Sequence, residues 1–171
     1  MVILGIDPGY GKIGYGVIEK IGNRYNTIDY GVIYTNKDLQ LSSRLLKIKD
    51  ELKNLIKQYK PDEAAVEELF FFKNVATAIQ VGEARGVILL TLEEENIPIY
   101  EYTPYQIKQA VTGYGHAEKG QIQRALKLIL KLEKNPTPDD AADALAAAFC
   151  HANFRRNLLK WNIWMIFLWN I

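Results

Sequence analysis

The sequence predicts one α/β domain built on a mixed five-stranded sheet flanked by helices. Three observations carry that prediction. Strand-like apolar runs separated by turn residues fill the first 34 positions. Two more short apolar strands follow, each embedded between segments of helical periodicity. The length of 171 residues suits one domain with a substantial core and is too short for two nucleotide-binding lobes.

Val2 to Asp7 is an apolar run ending in an acid, and PGYGKIGYG then supplies turn residues before strand-like content resumes from Gly14 to Glu19. This is a β-hairpin. After the Gly22-Asn23 turn signal, tyrosines and isoleucines alternate with polar residues from Arg24 to Tyr34, giving a third strand. From Ser42 to Tyr59, Leu45, Leu46, Ile48, Leu52, Leu55 and Ile56 recur at helical spacing among lysines, the pattern of an amphipathic helix lying on the sheet. Pro61-Asp62 ends it, and Ala64 to Leu69 reads as a short buried strand leading into Phe70, Phe71 and Phe72.

A second helix is predicted from about Asn74 to Glu95. It carries Ala78, Gly82 and Gly86 at intervals of four, and interior glycines cost about 1 kcal/mol each relative to alanine. Such a stripe suggests close packing against another helix. Ile97 to Tyr102 is the fifth strand, and Thr103 to Val111 a short helix broken at Gly113 to Gly115. Glu118 to Leu132 has helical spacing in Ile122, Leu126, Ile129 and Leu130, with Arg124, Lys127, Lys131 and Lys134 on its basic side. The last helix starts at Thr137-Pro138 and runs to about Phe154.

Lys and Arg number 21 against 20 Asp and Glu, so a nucleic-acid surface must come from local segregation of charge. The single Cys150 excludes an internal disulfide, and VILGID lacks the tripartite pattern of a signal peptide. Both point to the cytoplasm.

Four acids stand where charge is unwelcome: Asp7 at the end of an apolar strand, Glu67 in AAVEELF, and Asp140 with Asp143 in an alanine-rich helix. Asp140 and Asp143 are three apart, so both face one side of the helix about 5 to 6 Å from each other at Cβ. If the four converged without cations, each pair about 5 Å apart would repel by about 3 kcal/mol at an effective dielectric near 20. Divalent metal resolves that conflict, and an oxygen-only donor set favours a hard cation. Two such ions activate a water and stabilise a departing 3′ oxygen in phosphodiester hydrolysis. Structural readings compete: Asp140 as the acid of a capping box behind Thr137-Pro138, and Asp7 as a turn residue before Pro8-Gly9. Asp143, one turn inside the helix, lies beyond the region where the helix dipole helps most. Glu67 and Glu68 are adjacent on a strand and face opposite ways, and alternation leaves open which faces in.

Five segments in order resemble the bacterial RuvC family of crossover junction endodeoxyribonucleases: ILGIDPGYGKIGYGVI, AVEELFFFKN, EARGV at Glu83 to Val87, VTGYGHAEKGQIQ at Val111 to Gln123, and DDAADALAAA. The similarity spans about residues 1 to 155. It implies a ribonuclease-H-like fold and a structure-specific endonuclease that resolves Holliday junctions in recombination and repair. The resemblance makes Asp7, Glu67, Asp140 and Asp143 the catalytic, metal-binding carboxylates, selecting Glu67 over Glu68. It implies two Mg²⁺ per subunit, with Mn²⁺ as a substitute, and a homodimer that nicks two strands of like polarity symmetrically. Junction-binding branch-migration ATPases are the implied protein partners.

Phe70 matches the family's aromatic that stacks on an unpaired base, against the competing reading of a buried strand end. Lys108 and Lys119 match residues that approach DNA phosphates; Lys73 and Arg85 are weaker candidates. The stripe at Ala78, Gly82 and Gly86 acquires a role at the dimer contact. Two features depart from the family pattern. Asp139 offers a second register, resolved toward Asp140 because that residue sits three before Asp143. The apolar tail LLKWNIWMIFLWNI is shorter than the roughly 20 residues that span a bilayer, so no membrane anchor is expected. The domain reading is therefore a nuclease unit over 1–156 and a tail of unknown role over 157–171. Competing functions are an RNA-processing nuclease of the same fold and a non-catalytic junction-binding module; an actin-like ATPase would need a second lobe.

Overall fold

The computed structural model describes the backbone of residues 1–69 and 75–168, and side chains over 1–69 and 77–154. Its elements follow the order β1 (Val2–Asp7), β2 (Lys12–Ile21), β3 (Arg24–Tyr34), α1 (Leu41–Tyr59), β4 (Glu63–Glu67), α2 (Val75–Glu94), β5 (Ile99–Tyr102), α3 (Pro104–Thr112), α4 (Lys119–Ile129) and α5 (Asp139–Leu168). The strands form one mixed sheet in the order β3-β2-β1-β4-β5. β1, β2 and β3 pair antiparallel, as tight turns allow, whereas β4 joins β1 and β5 joins β4 in parallel through helical crossovers.

Strand alternation divides the core in two. Leu4, Ile6, Ala64 and Val66 face the layer of α1 and α2, where they meet Ile48, Leu52, Ile56, Ala84, Ile88 and Leu92. Ile3, Ile18 and Ala65 face the other layer, packing against Ile107, Ile122, Leu126 and the alanines of α5. Each fully buried aliphatic chain contributes about 1.5 to 3 kcal/mol, so both layers hold the sheet firmly.

Several boundaries differ from the sequence reading, each for a physical reason. β2 begins at Lys12 rather than Gly14, because the ladder with β3 continues to the pair Lys12↔Tyr34. β4 stops at Glu67, and β5 starts only at Ile99, although the Pro98 carbonyl still accepts from Ala64 N. In α1, Leu46 is 59% exposed and lies outside the apolar stripe, while Arg44 is buried in it. Among the described residues nothing packs on the α2 glycines: Gly82 and Gly86 are exposed, and a Cβ on either would meet no described atom within 4 Å. The α2 face that meets α1 is instead Ala84, Ile88 and Leu92. Finally, α5 does not end near Phe154 but continues as helix to Leu168. Among the described residues no helix is long and apolar enough to cross a membrane.

Candidate active site

Glycines on the sheet and alanines on α5 bring the acids together. Asp7 ends β1 and pairs in register with Gly14 of β2. A Cβ on Gly14 would stand 1.9 Å from the Asp140 carbonyl oxygen and 3.2 Å from Asp7 Cβ, so only glycine lets the start of α5 approach the strand this closely. Gly5 and Gly16 do the same further along the helix, where a Cβ would come 2.0 Å from the Ala144 carbonyl oxygen and 2.7 Å from Leu145 N. Ala141, Ala144 and Ala148 answer them with the smallest helix-forming side chain, all fully buried. The β1–β4 ladder runs to Ile6↔Val66, which places Asp7 and Glu67 at neighbouring strand ends. β1, β4 and α5 thus supply one acidic site.

The charges of the site register its convergence. Burial raises Asp7 well above the usual carboxylate range, and Glu67, Asp143 and Asp140 each push it further. Glu67 is raised to about 7 by burial and by Asp143, with Lys108 and Lys119 working against the shift. Asp143 is raised by burial first, then by Asp139 and Asp140, while Lys119 opposes. Elevation by burial first and by neighbouring carboxylates second is the signature of like charges sharing a desolvated pocket. Among the described residues no three acidic, histidine or cysteine side chains stand in closed coordination geometry. The cation at hand is the Lys119 ammonium, 3.7 Å from Asp143 and 3.5 Å from Asp139. A site of carboxylate oxygens alone, with its acids held toward the neutral form, fits a hard divalent ion that would displace those protons and that ammonium.

The two aspartates at the start of α5 part company. Asp139 is exposed and engaged by Lys119 and by Gln123, whose Nε2 donates to it at 3.0 Å. Asp140 is half-buried and acts on Asp7. α5 begins at Asp139, one residue past the cis Thr137-Pro138 peptide, and the Pro138 carbonyl accepts from Ala141 N and Ala142 N.

Lys108 and Lys119 both act on Glu67, from α3 and from the first turn of α4. Arg85 is committed to an ion pair with Glu101, which neutralises it within the fold. Phe70 and Lys73 lie outside the described residues. Ala78, Gly82 and Gly86 are remote in sequence from the acids, on α2.

Sequence reasoning missed a support beneath Asp7. The turn after it is held by buried Arg44, whose Nε donates to Thr35 Oγ1 at 2.9 Å and whose Nη2 donates to the Tyr10 carbonyl at 3.1 Å. The guanidinium also lies 4.4 Å from the Tyr10 ring centre. An arginine in the apolar stripe of α1 was the available signal. Gly14 is visible too, as the first residue of the second predicted strand, but nothing local shows that it must be glycine.

Comparison with known proteins agrees with this geometry. Residues 3–151 match the family model described as crossover junction endodeoxyribonuclease RuvC. The crossover junction endodeoxyribonuclease RuvC of Petrotoga mobilis is 80% identical over 92% of this chain and 96% of its own length. That of Thermosipho melanesiensis is 57% identical over 89% of this chain and 97% of its own. The Thermus thermophilus RuvC structure in complex with a Holliday junction substrate superposes with a TM-score of 0.85 at 36% identity, covering 91% of this chain and 95% of that one. The fold is thus ribonuclease-H-like, as the resemblance implied. Family match, near-full-length identity and fold converge: the chain belongs to the RuvC family of crossover junction endodeoxyribonucleases, which are metal-dependent nucleases.

Proposed function

We propose that the protein resolves four-way DNA junctions as a homodimer, nicking two strands of like polarity in a Mg²⁺-dependent hydrolysis. The observation that carries the reading is the approach of β1, β4 and the start of α5, which gathers Asp7, Glu67, Asp140 and Asp143 where burial first and neighbouring carboxylates second raise Asp7, Glu67 and Asp143. Asp7, Glu67, Asp140 and Asp143 would hold two Mg²⁺ ions, or Mn²⁺ in their place. When bound, the metal supplies Lewis-acid stabilisation of the phosphodiester and a water of lowered pKa. The carboxylates fix where the reacting phosphate sits, and they must lose their protons first, Glu67 near pH 7. Lys119 is then released from Asp143 toward phosphate, beside Lys108.

Phe70 is assigned to stacking on an unpaired base and Lys73 to an outer phosphate. Arg85 is the weakest of the assigned contacts, since Glu101 already pairs with it. The dimer contact is assigned to Ala78, Gly82 and Gly86, a reading supported by the open space above both glycines. Residues 1–156 form the nuclease unit, branch-migration ATPases are its protein partners, and the cytoplasm is its compartment.

The test is incubation of the purified protein with a synthetic immobile four-way junction, a matched linear duplex and an RNA–DNA hybrid, with Mg²⁺ or EDTA. Paired symmetric nicks in the junction alone, with metal alone, are expected. Cutting of the hybrid would instead assign an RNA-processing nuclease, and binding without cutting a junction-recognition module.

A further inference from the structure

The α3–α4 region that carries Lys108 and Lys119 also presents a group of exposed aromatic rings that the proposed chemistry does not use. Tyr105 is 53% exposed and Tyr114 is 59% exposed, although both carry large apolar rings. His116, also exposed, joins them edge-on, its ring centre 5.4 Å from that of Tyr105 and 5.7 Å from that of Tyr114. The rings are held rigidly. Gly113 adopts the left-handed conformation at the end of α3, and Gln109 Nε2 donates to its carbonyl at 2.9 Å. Thr112 Oγ1 accepts from Tyr114 N at 3.1 Å. The backbone at Gly115 lies directly on the Tyr105 ring, where a Cβ would stand 2.2 Å from Cε2.

The position of the rings identifies their occupant. Tyr105 and Lys108 are three apart on α3 and share a face, and Lys108 acts on Glu67. Three residues beyond His116, Lys119 reaches Asp143. Along the chain Tyr114 and His116 therefore fall between the two lysines that act on the acids, so a strand engaged by both lysines passes their segment. A nucleic-acid strand seated there presents bases beside its phosphates, and flat exposed rings are the chemistry that receives an unstacked base.

We propose that the exposed ring of Tyr114, buttressed edge-on by His116, stacks on an unpaired base of the junction strand next to the scissile phosphate. The proposal rests on the junction-resolving reading, and its test separates the two. A junction carrying 2-aminopurine at successive positions flanking the crossover is bound in EDTA, and fluorescence is read before metal is added to follow single-turnover nicking. The wild-type protein changes the emission at one or two positions. In Tyr114→Ala and His116→Ala that change is lost and nicking slows about tenfold, the lower part of the range for loss of a base–aromatic stack. Tyr114→Phe keeps both, because stacking needs the ring and not the hydroxyl. Wild-type emission and nicking in both alanine variants would overturn the stack, as would equal losses in Tyr114→Phe and Tyr114→Ala. Failure of the wild-type protein to nick any junction would overturn the junction reading instead.

Discussion

The seam between α5 and β4 has two ends with opposite electrostatics. Glu63, Ala65 and Glu67 share one face of β4, and α5 runs along it in the reverse direction. From Asp143 to His151 the helix rises about 12 Å, and from Glu67 back to Glu63 the strand covers about 13 Å, so the two pairs of residues fall in step. At the far end every group is answered. His151 Nε2 lies 2.6 Å from Glu63 Oε2 and Nδ1 lies 2.6 Å from the Tyr102 hydroxyl, with the imidazole 1% exposed and stacked on Tyr100 at 4.3 Å. Burial and the nearby Lys20 ammonium push His151 down to about 4, so the neutral ring donates from Nε2 to Glu63 and accepts at Nδ1 from Tyr102. At the near end Glu67 and Asp143 oppose one another. The contrast teaches that one end of the seam is built for stability and the other for chemistry, and that the first holds the second in register.

The largest effect belongs to the acidic end. Asp7→Asn is expected to lower junction nicking by more than about a hundredfold while leaving junction binding measurable, since even groups one step removed from a metal cost 10–100-fold. Gel-shift and nicking assays on one preparation check this, and unchanged nicking would sink the assignment. Gly14→Ala comes next. Its methyl group must push α5 off the strand at Asp140, so nicking is expected to fall together with a loss of about 1–3 kcal/mol in denaturant unfolding. At the satisfied end, His151→Phe removes the imidazole to which Glu63 and Tyr102 both bond. An expected loss of about 3 kcal/mol is read by urea unfolding, with nicking retained at temperatures where the variant stays folded. Acid acts on the same end. Because the native pKa of His151 is depressed below its ordinary 6.5, its stabilisation is complete above about pH 6.5 and fades as pH falls toward 4. The His151→Phe variant should lack that part of the acid sensitivity, measured as midpoint against pH.

The sequence makes the elements and the acids readable because their signals are local. A strand alternates, a helix repeats, and Asp143 stands out in a run of alanines that no surface helix needs. What it hides is mutual. Gly14 resembles an ordinary strand start until the partner that needs its emptiness, the Asp140 carbonyl, is known. His151 and Glu63 are 88 residues apart and neither sits in a recognisable motif. Arg85 advertises a free cation, and only the fold reveals Glu101 opposite it. Gly82 and Gly86 show small residues at helical intervals, but whether another helix lies over them depends on where α1 runs.

The central claim is that the acids at the near end are held together against their own repulsion for a divalent cation. Thermal unfolding of wild type and Asp7→Asn at pH 7, each in EDTA and in Mg²⁺, tests it most directly. A carboxyl whose native pKa lies above its unfolded value weakens the fold as pH rises through that interval, so neutralising it stabilises the metal-free protein. The account predicts that Asp7→Asn melts higher than wild type in EDTA, and that Mg²⁺ raises wild type markedly and the variant little. A variant that melts lower in EDTA, or that gains as much from Mg²⁺ as wild type does, would contradict it.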